Sequence, residues 1–274
     1  MYGFRPERAD GHIPSIQATQ QISKFMQFND IFGEALLAFQ HDGVAESIAV
    51  WIDDEAQDPL DPAYFFRSFD DMPLLEQHAL KHARGKVLDV GAAAGCHSLW
   101  LHKNRCDVTA LEISPGACDV MRSHQLPKVV EADFFDYATT EKYDTILFLM
   151  NGLGMGQTVQ GTVKLLQKAK QLLASGGVII GDSSDIAYFA LGDDPSTEDL
   201  AWLDEQKKGL LTQSPLNHYY GMVHFSLKWK QLKNEFNWIY PDPDLLKFAA
   251  EQADLKMVKL ADGPHHDFLF AFSA

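Results

Sequence analysis

The segment Val87-Leu88-Asp89-Val90-Gly91-Ala92-Ala93-Ala94-Gly95 constrains this chain more than any other. An apolar run closes on an acid, breaks into small residues, and gives way to an amphipathic stretch from Cys96 to Lys103. This is the order of a buried strand, a tight loop and a helix start. Small side chains let a ligand lie against the backbone, and the first turn of a helix offers N–H groups with no partner inside the helix.

From Gly85 onward, strand and helix patterns alternate. Strands are expected at 86–90, 107–112, 128–132, 143–150 and 177–182, with helices between them. Ser114-Pro115 starts a helix with an N-cap serine and a proline at the first position, and Asp242-Pro243 repeats the device. Gly176-Gly177 ends a helix that begins near Val159. Short connections of this kind imply a parallel sheet covered on both faces. Two further strands, 255–260 and 267–273, end the chain. Between 219 and 240, apolar and polar residues alternate in two arms, as in a β-hairpin.

The first 84 residues read differently. Residues 1–14 look like an arm. Apolar positions recur at helical steps from Ser15 to Phe39, with a break near Asn29, and a shorter helix is expected over 44–51. An acidic, proline-containing linker covers Asp53 to Pro62, and a last helix runs to about Arg84. The expected organisation is therefore an N-terminal helical substrate or lid region, 1–84, and an α/β domain, 85–274, with an insertion at about 187–240.

Composition limits the partners. The 274 residues carry 38 acidic against 23 basic side chains, a net charge of −15, without a basic cluster interleaved with aromatics. No nucleic-acid partner is expected. Nothing approaches the roughly 20 apolar residues of a membrane helix, so no membrane partner is expected either. Three cysteines without C-x-x-C spacing suit a reducing, cytoplasmic setting.

Three more strand ends carry polar groups. Glu112 closes the second strand of the alternating region, about 20 residues beyond the glycine loop, where an acid can accept the hydroxyls of a ribose. A solvated strand-end carboxylate is the plainer alternative. Asp133 and Phe134 follow the third strand, where an acid can accept an exocyclic amine beside an apolar surface; a helix cap next to core phenylalanines would look the same. Asn151-Gly152 follows the fourth, at the switch point where open α/β sheets bind ligands, or forms a plain turn.

With these residues together, the chain resembles the class I, Rossmann-like S-adenosylmethionine-dependent methyltransferases, chiefly over residues 86–185. In that family an acid and one residue precede G-x-G-x-G; here Ala93 occupies the middle glycine slot. The resemblance implies a doubly wound, mostly parallel seven-stranded sheet of order 3-2-1-4-5-7-6 with an antiparallel last strand. It implies S-adenosyl-L-methionine as cofactor. Gly91, Ala92, Ala93 and Gly95 would line its amino-acid part, with Asp89 orienting its ammonium. Glu112 would hold the ribose, Ile113 would pack on the adenine, Asp133 and Phe134 would meet it, and Asn151 would lie near the methionine end. The stretch Phe66 to Glu76 is similar to one that precedes the first motif in a bacterial subgroup with no assigned substrate.

The implied reaction is direct, in-line methyl transfer to a small-molecule nitrogen or oxygen nucleophile. On the substrate side, Arg67, Asp71, Asp185 and Tyr188 are candidates, Arg67 being read first as a surface residue tied to Asp70 or Asp71. Asp182 and His218 are further groups near the expected methyl position, and no spacing singles out a base. His97 reads as a helix residue beside the cofactor. Tyr64, Phe65, Phe66 and Phe69 read as core before they read as a cage. His78 with His82, and His265-His266-Asp267, fall short of a metal-ligand set. The long aromatic hairpin is either a lid or the surface of a homodimer. Two alternatives stand beside the transferase: an NAD- or flavin-dependent oxidoreductase, disfavoured because an acid precedes a loop without G-x-G-x-x-G spacing, and a non-catalytic cofactor-binding or scaffold protein of the same fold.

Overall fold

A computed structural model describes residues 29–187, 196–211 and 219–274. Tyr188, His218 and the first 28 residues lie outside these, and with them the N-terminal arm and most of the helical pattern before Asn29. The central sheet has seven strands: β3 (Lys86–Val90), β4 (Asp107–Glu112), β5 (Val129–Glu131), β6 (Tyr143–Phe148), β7 (Leu173–Ser184), β10 (Lys256–Asp262) and β11 (Asp267–Ser273). Their order is β10-β11-β7-β6-β3-β4-β5. The strands β5, β4, β3, β6 and β7 run parallel, and β11 is antiparallel to both neighbours. This is the expected topology.

Successive residues of each strand serve opposite faces. Leu88, Phe148, Ile179 and Phe270 pack with α5 (Val159–Leu172) and α7 (Pro243–Gln252). Val87, Leu147, Ile180 and Leu269 pack with α2 (Leu74–His82) and α3 (Cys96–Lys103). With both faces covered, the strand ends are where a ligand can approach this sheet. Helix α6 (Thr197–Leu211) follows β7. Among the described residues, no helix is long and apolar enough to cross a membrane.

The second sheet corrects the sequence reading. The hairpin arms β8 (Met222–Trp229) and β9 (Leu232–Ile239) form as expected, but β8 also pairs with β1 (Ile48–Ile52), and β1 with β2 (Glu55–Leu60), giving a four-stranded antiparallel sheet. Residues 48–51, expected as helix, are a strand. A short apolar run fits either period, and here β-branched residues and a cross-strand partner decide. The acidic stretch is not a linker: Asp53 and Asp54, at φ 48° and 69°, form the turn between β1 and β2. Positive φ at both turn residues matches the twist of a two-residue hairpin. Pro59 is tolerated because β2 is an edge strand.

Helix α1 (Ile31–Asp42) wedges this sheet against the α/β domain. Ile31 and Ala35 pack on Ile48 and Trp229, while Leu36 packs on Phe65, Ala94 and Ala117. Asp30 joins two helix starts. It accepts from Gly33 N at 2.9 Å in α1, and from Gly116 N at 2.8 Å and the Ser114 hydroxyl at 2.7 Å in α4 (Pro115–Ser123). Negative charge at two N-termini is favoured by both helix dipoles. The backbones nearly touch: a Cβ on Gly116 would lie 2.7 Å from the Gly33 carbonyl carbon. Gly116→Ala is therefore expected to destabilise the fold by about 1–3 kcal/mol, as overpacking does, and urea unfolding checks it.

Candidate active site

The site is built on the C-terminal ends of β3, β4, β5, β6 and β7. After β3, Gly91, Ala93 and Gly95 take positive φ (73°, 50° and 84°), which reverses the chain and aims the first turn of α3 at the loop. Gly91 is solvent-exposed, and a Cβ there would meet only Met155 Cε, at 3.5 Å. The loop is thus open on the side of Gly91. At Gly95 a Cβ would meet Met121 at 2.8 Å, so that glycine serves packing. Ala93 stands in the middle glycine slot in a left-handed conformation that costs a non-glycine residue of order 1–3 kcal/mol.

Glu112 holds this conformation. Its buried carboxylate accepts from Ala93 N at 2.9 Å, Ile113 N at 2.8 Å and Ser114 N at 2.9 Å. Burial pushes its pKa up, against the pull of these donors. A carboxylate offers about four acceptor sites, so three main-chain donors leave room for one more. Glu112 thus organises the loop, a role that spacing alone did not reveal.

Asp89 is buried, with Oδ2 accepting the Ser98 hydroxyl at 2.6 Å. It braces the loop against α3. At the next tips, Ile113 is 48% and Phe135 40% exposed. Asp133 is exposed and accepts from Phe135 N at 2.6 Å. The Phe134 ring is turned into the core against Phe148, with centroids 5.2 Å apart, so Ile113 and Phe135 are the exposed apolar side chains of this pair of tips.

At the β6 tip, Met150 and Asn151 both adopt left-handed φ (59° and 58°). Asn151 donates its N–H to Asp182 Oδ2 at 3.1 Å, its carbonyl accepts from Gly154 N at 2.8 Å, and its side-chain oxygen accepts the Ser184 hydroxyl at 3.1 Å. The other carboxylate oxygen of Asp182 is shielded from solvent and has no hydrogen-bond partner among the described residues. Burial and the nearby Glu76 charge, against the Asn151 N–H and His97, push the Asp182 pKa up to about 7.

A buried ionic cluster adjoins it. Glu76 of α2 accepts from the Arg67 guanidinium and from His97 Nε2, the latter at 2.6 Å. Arg67 is therefore not a surface residue tied to Asp70 or Asp71. Its Nη1 donates to the Tyr64 carbonyl at 2.7 Å, Nη2 lies 3.3 Å from Met150 Sδ, and buried Nε has no partner among the described residues. Burial lowers the His97 pKa, but hydrogen bonds to Cys96 and Glu76 and the field of Asp89 lift it to about 10. His97 is thus charged at neutral pH and is no base. Spacing could not reveal this trio, since Arg67, Glu76 and His97 lie on three separate elements.

Two substrate-side candidates are engaged elsewhere. Asp71 is exposed and accepts the Ser68 hydroxyl at 2.6 Å. Asp185 accepts from Ala187 N and the Tyr220 hydroxyl, each at 2.9 Å; that hydroxyl also lies 2.9 Å from Asp242, so this group ties β7 to the hairpin and α7.

The arrangement fits a zwitterionic nucleoside. An open glycine turn, a carboxylate with one acceptor site left, two exposed apolar side chains, and buried orphan groups of both signs lie along one sheet edge. Comparison with known proteins agrees. Residues 87–177 match a family described as a methyltransferase domain. The chain is similar to a SAM-dependent methyltransferase from Bacteroides fragilis, solved in complex with S-adenosyl-L-homocysteine: identity is 32%, TM-score 0.78, and the match covers 89% of this chain and 94% of that one. It shares its fold with the CcbJ methyltransferase from Streptomyces caelestis (14% identity, TM-score 0.58, covering 90% and 99%). It likewise shares its fold with the sugar N-methyltransferase KedS8 from a Streptoalloteichus species (13% identity, TM-score 0.50, covering 99% and 98%). No curated protein gives a significant match.

Proposed function

Because this chain belongs to the S-adenosylmethionine-dependent methyltransferases of class I, we propose that it methylates a nitrogen or oxygen of a small molecule, with Asp182 taking the acceptor's proton. When bound, the cofactor supplies a methyl group already activated on a sulfonium, so the acceptor's lone pair forms the new bond while sulfur keeps the electrons of the old one. The protein's share is position and proton management. The observation that carries this reading is Asp182 Oδ1, a buried acceptor without a donor among the described residues, on the strand end next to Asn151. A carboxyl poised near neutrality suits a general base, which works best when its pKa is close to the working pH.

Residues Gly91, Ala92, Ala93 and Gly95 would line the amino-acid part of the cofactor, with Asp89 acting through the loop it braces. The positive Arg67, with its unpaired Nε, suits a carboxylate. Glu112 would take a ribose hydroxyl, and Asp133, with Ile113 and Phe135, the adenine. Asn151 would border the methionine end. The N-terminal region and the inserted hairpin, joined in one sheet, would cover the acceptor side. A net charge of −15 suits a neutral or cationic small molecule better than a polyanion.

Glu112→Ala tests the cofactor half of this reading. It is expected to weaken S-adenosylhomocysteine binding by at least about 1 kcal/mol, the scale of a charge-assisted hydrogen bond. Titration calorimetry reads it, and an unchanged dissociation constant removes Glu112 from the site.

A further inference from the structure

The four-stranded sheet is two-faced. His224, Lys228, Lys233, Glu235 and Asn237 are exposed on one side. The other side is mainly apolar and follows from the register: Ile52 stands opposite Phe225, Phe225 opposite Phe236, and Val223 opposite Trp238, with Glu55, Gln57 and Asn234 at its margins. Direct cross-strand partners share a face. A sheet with one polar face hides the other against something.

That apolar face has two anchors. At one end, Ile48, Leu227, Trp229 and Leu232 pack on α1. At the other, the Trp238 indole sits on Gly154, beside the β6 tip: a Cβ there would lie 2.0 Å from Trp238 Nε1. Helix α1 in turn rests on Ala93 and Ala94 of the glycine loop, with Met150 in the same cluster. The sheet therefore bridges from the cofactor loop to the tip that carries Asn151. Between the anchors lie Ile52, Phe225 and Phe236, half-buried and outside every core cluster of the described residues. Phe225 and Phe236 stack with centroids 5.3 Å apart and planes 14° from parallel, and Trp238 meets Phe236 edge-on at 5.9 Å.

We infer that Phe225, Phe236 and Trp238 form the roof of the acceptor pocket and select a small molecule with a flat, apolar body that carries the nucleophilic amine or hydroxyl. This rests on the reading of the strand ends as the cofactor site. Stacked rings offer a broad apolar surface at little conformational cost, which favours planar partners over polyhydroxylated ones.

The test uses the full chain saturated with S-adenosylhomocysteine and two amine probes, 2-phenylethylamine and glucosamine, with binding read by calorimetry. The phenyl probe is expected to bind at least tenfold more tightly than the sugar probe. Phe236→Ala should erase that margin, Phe236→Leu should keep part of it, and both should bind S-adenosylhomocysteine like the parent, which shows that they fold. Equal binding of the two probes, no binding of the phenyl probe, or a margin untouched in Phe236→Ala overturns the roof. Loss of S-adenosylhomocysteine binding by the parent chain would instead strike the cofactor reading.

Discussion

Asp182→Asn is expected to slow methyl transfer by about 10²–10⁴-fold, the usual contribution of a positioned base, and to make the protein more stable at alkaline pH. Both effects have one cause. Burial and the Glu76 charge push the Asp182 carboxyl up to about 7, while the Asn151 N–H and protonated His97 pull the other way; the Tyr64 ring also lies within the field of this carboxylate. Unfolded, the same group titrates near 3.8. Between these values the folded chain holds a proton that the unfolded chain has released, so stability falls as pH rises through that window. The full loss is on the order of 4 kcal/mol. An asparagine can still accept from Asn151 N–H but carries no charge to bury. Unfolding at pH 5 and pH 8 should therefore show a smaller pH-dependent loss in the variant. The acid limb of kcat/KM near neutrality should vanish with the base. Wild-type turnover at pH 8 in Asp182→Asn would remove this residue from the reaction.

Glu76→Leu should be the most damaging single change to the fold, at about 3–5 kcal/mol, because it strands two buried cations. Glu76 is 4% exposed and bridges Arg67 to His97. Its carboxyl is held below its usual range: burial raises it, and the pairing with His97 and then Arg67 more than reverses that. The His97 side carries the opposite pH signature. Its pKa is raised from 6.5 to about 10. The stability it contributes is complete below 6.5 and is lost as pH rises through about 10. Urea unfolding across that range should show the decline in the parent and a flatter profile in Glu76→Leu. The Glu76→Leu/His97→Leu pair should be less destabilised than the sum of the single changes, since the pair removes one stranded charge. A loss under about 1 kcal/mol would mean that the cluster is solvated rather than structural.

Much of this architecture is legible in the chain because its signals are local. The apolar run into Gly91, the Ser114-Pro115 and Asp242-Pro243 helix starts, and the alternation of Val223 to Trp229 each lie within one element. Their spacing yields all seven strands of the main sheet and the hairpin. Glu112, Asp133 and Asn151 could be placed because parallel topology sends successive acidic and polar strand ends to one edge.

What escapes the sequence depends on long-range pairing. Residues 48–52 carry five apolar side chains, too few to separate helix from strand, and the partner that decides is β8, far along the chain. The Glu76 bridge joins three elements through side chains alone, so nothing in the spacing of Arg67 and His97 announces it. Phe134 and Phe135 are indistinguishable as letters. The turn after β5 sends the first ring into the core and leaves the second partly open. Asp182 was one of several acids after the fifth strand of the alternating region, and only burial and an unfilled oxygen separate it from Asp185, whose carboxylate meets Tyr220.

The most direct test titrates S-adenosylhomocysteine and, separately, NAD into the intact protein and into Glu112→Ala. The strand-end site predicts one S-adenosylhomocysteine per chain, weakened in the variant, and no NAD uptake. Tight NAD binding without S-adenosylhomocysteine binding would contradict it.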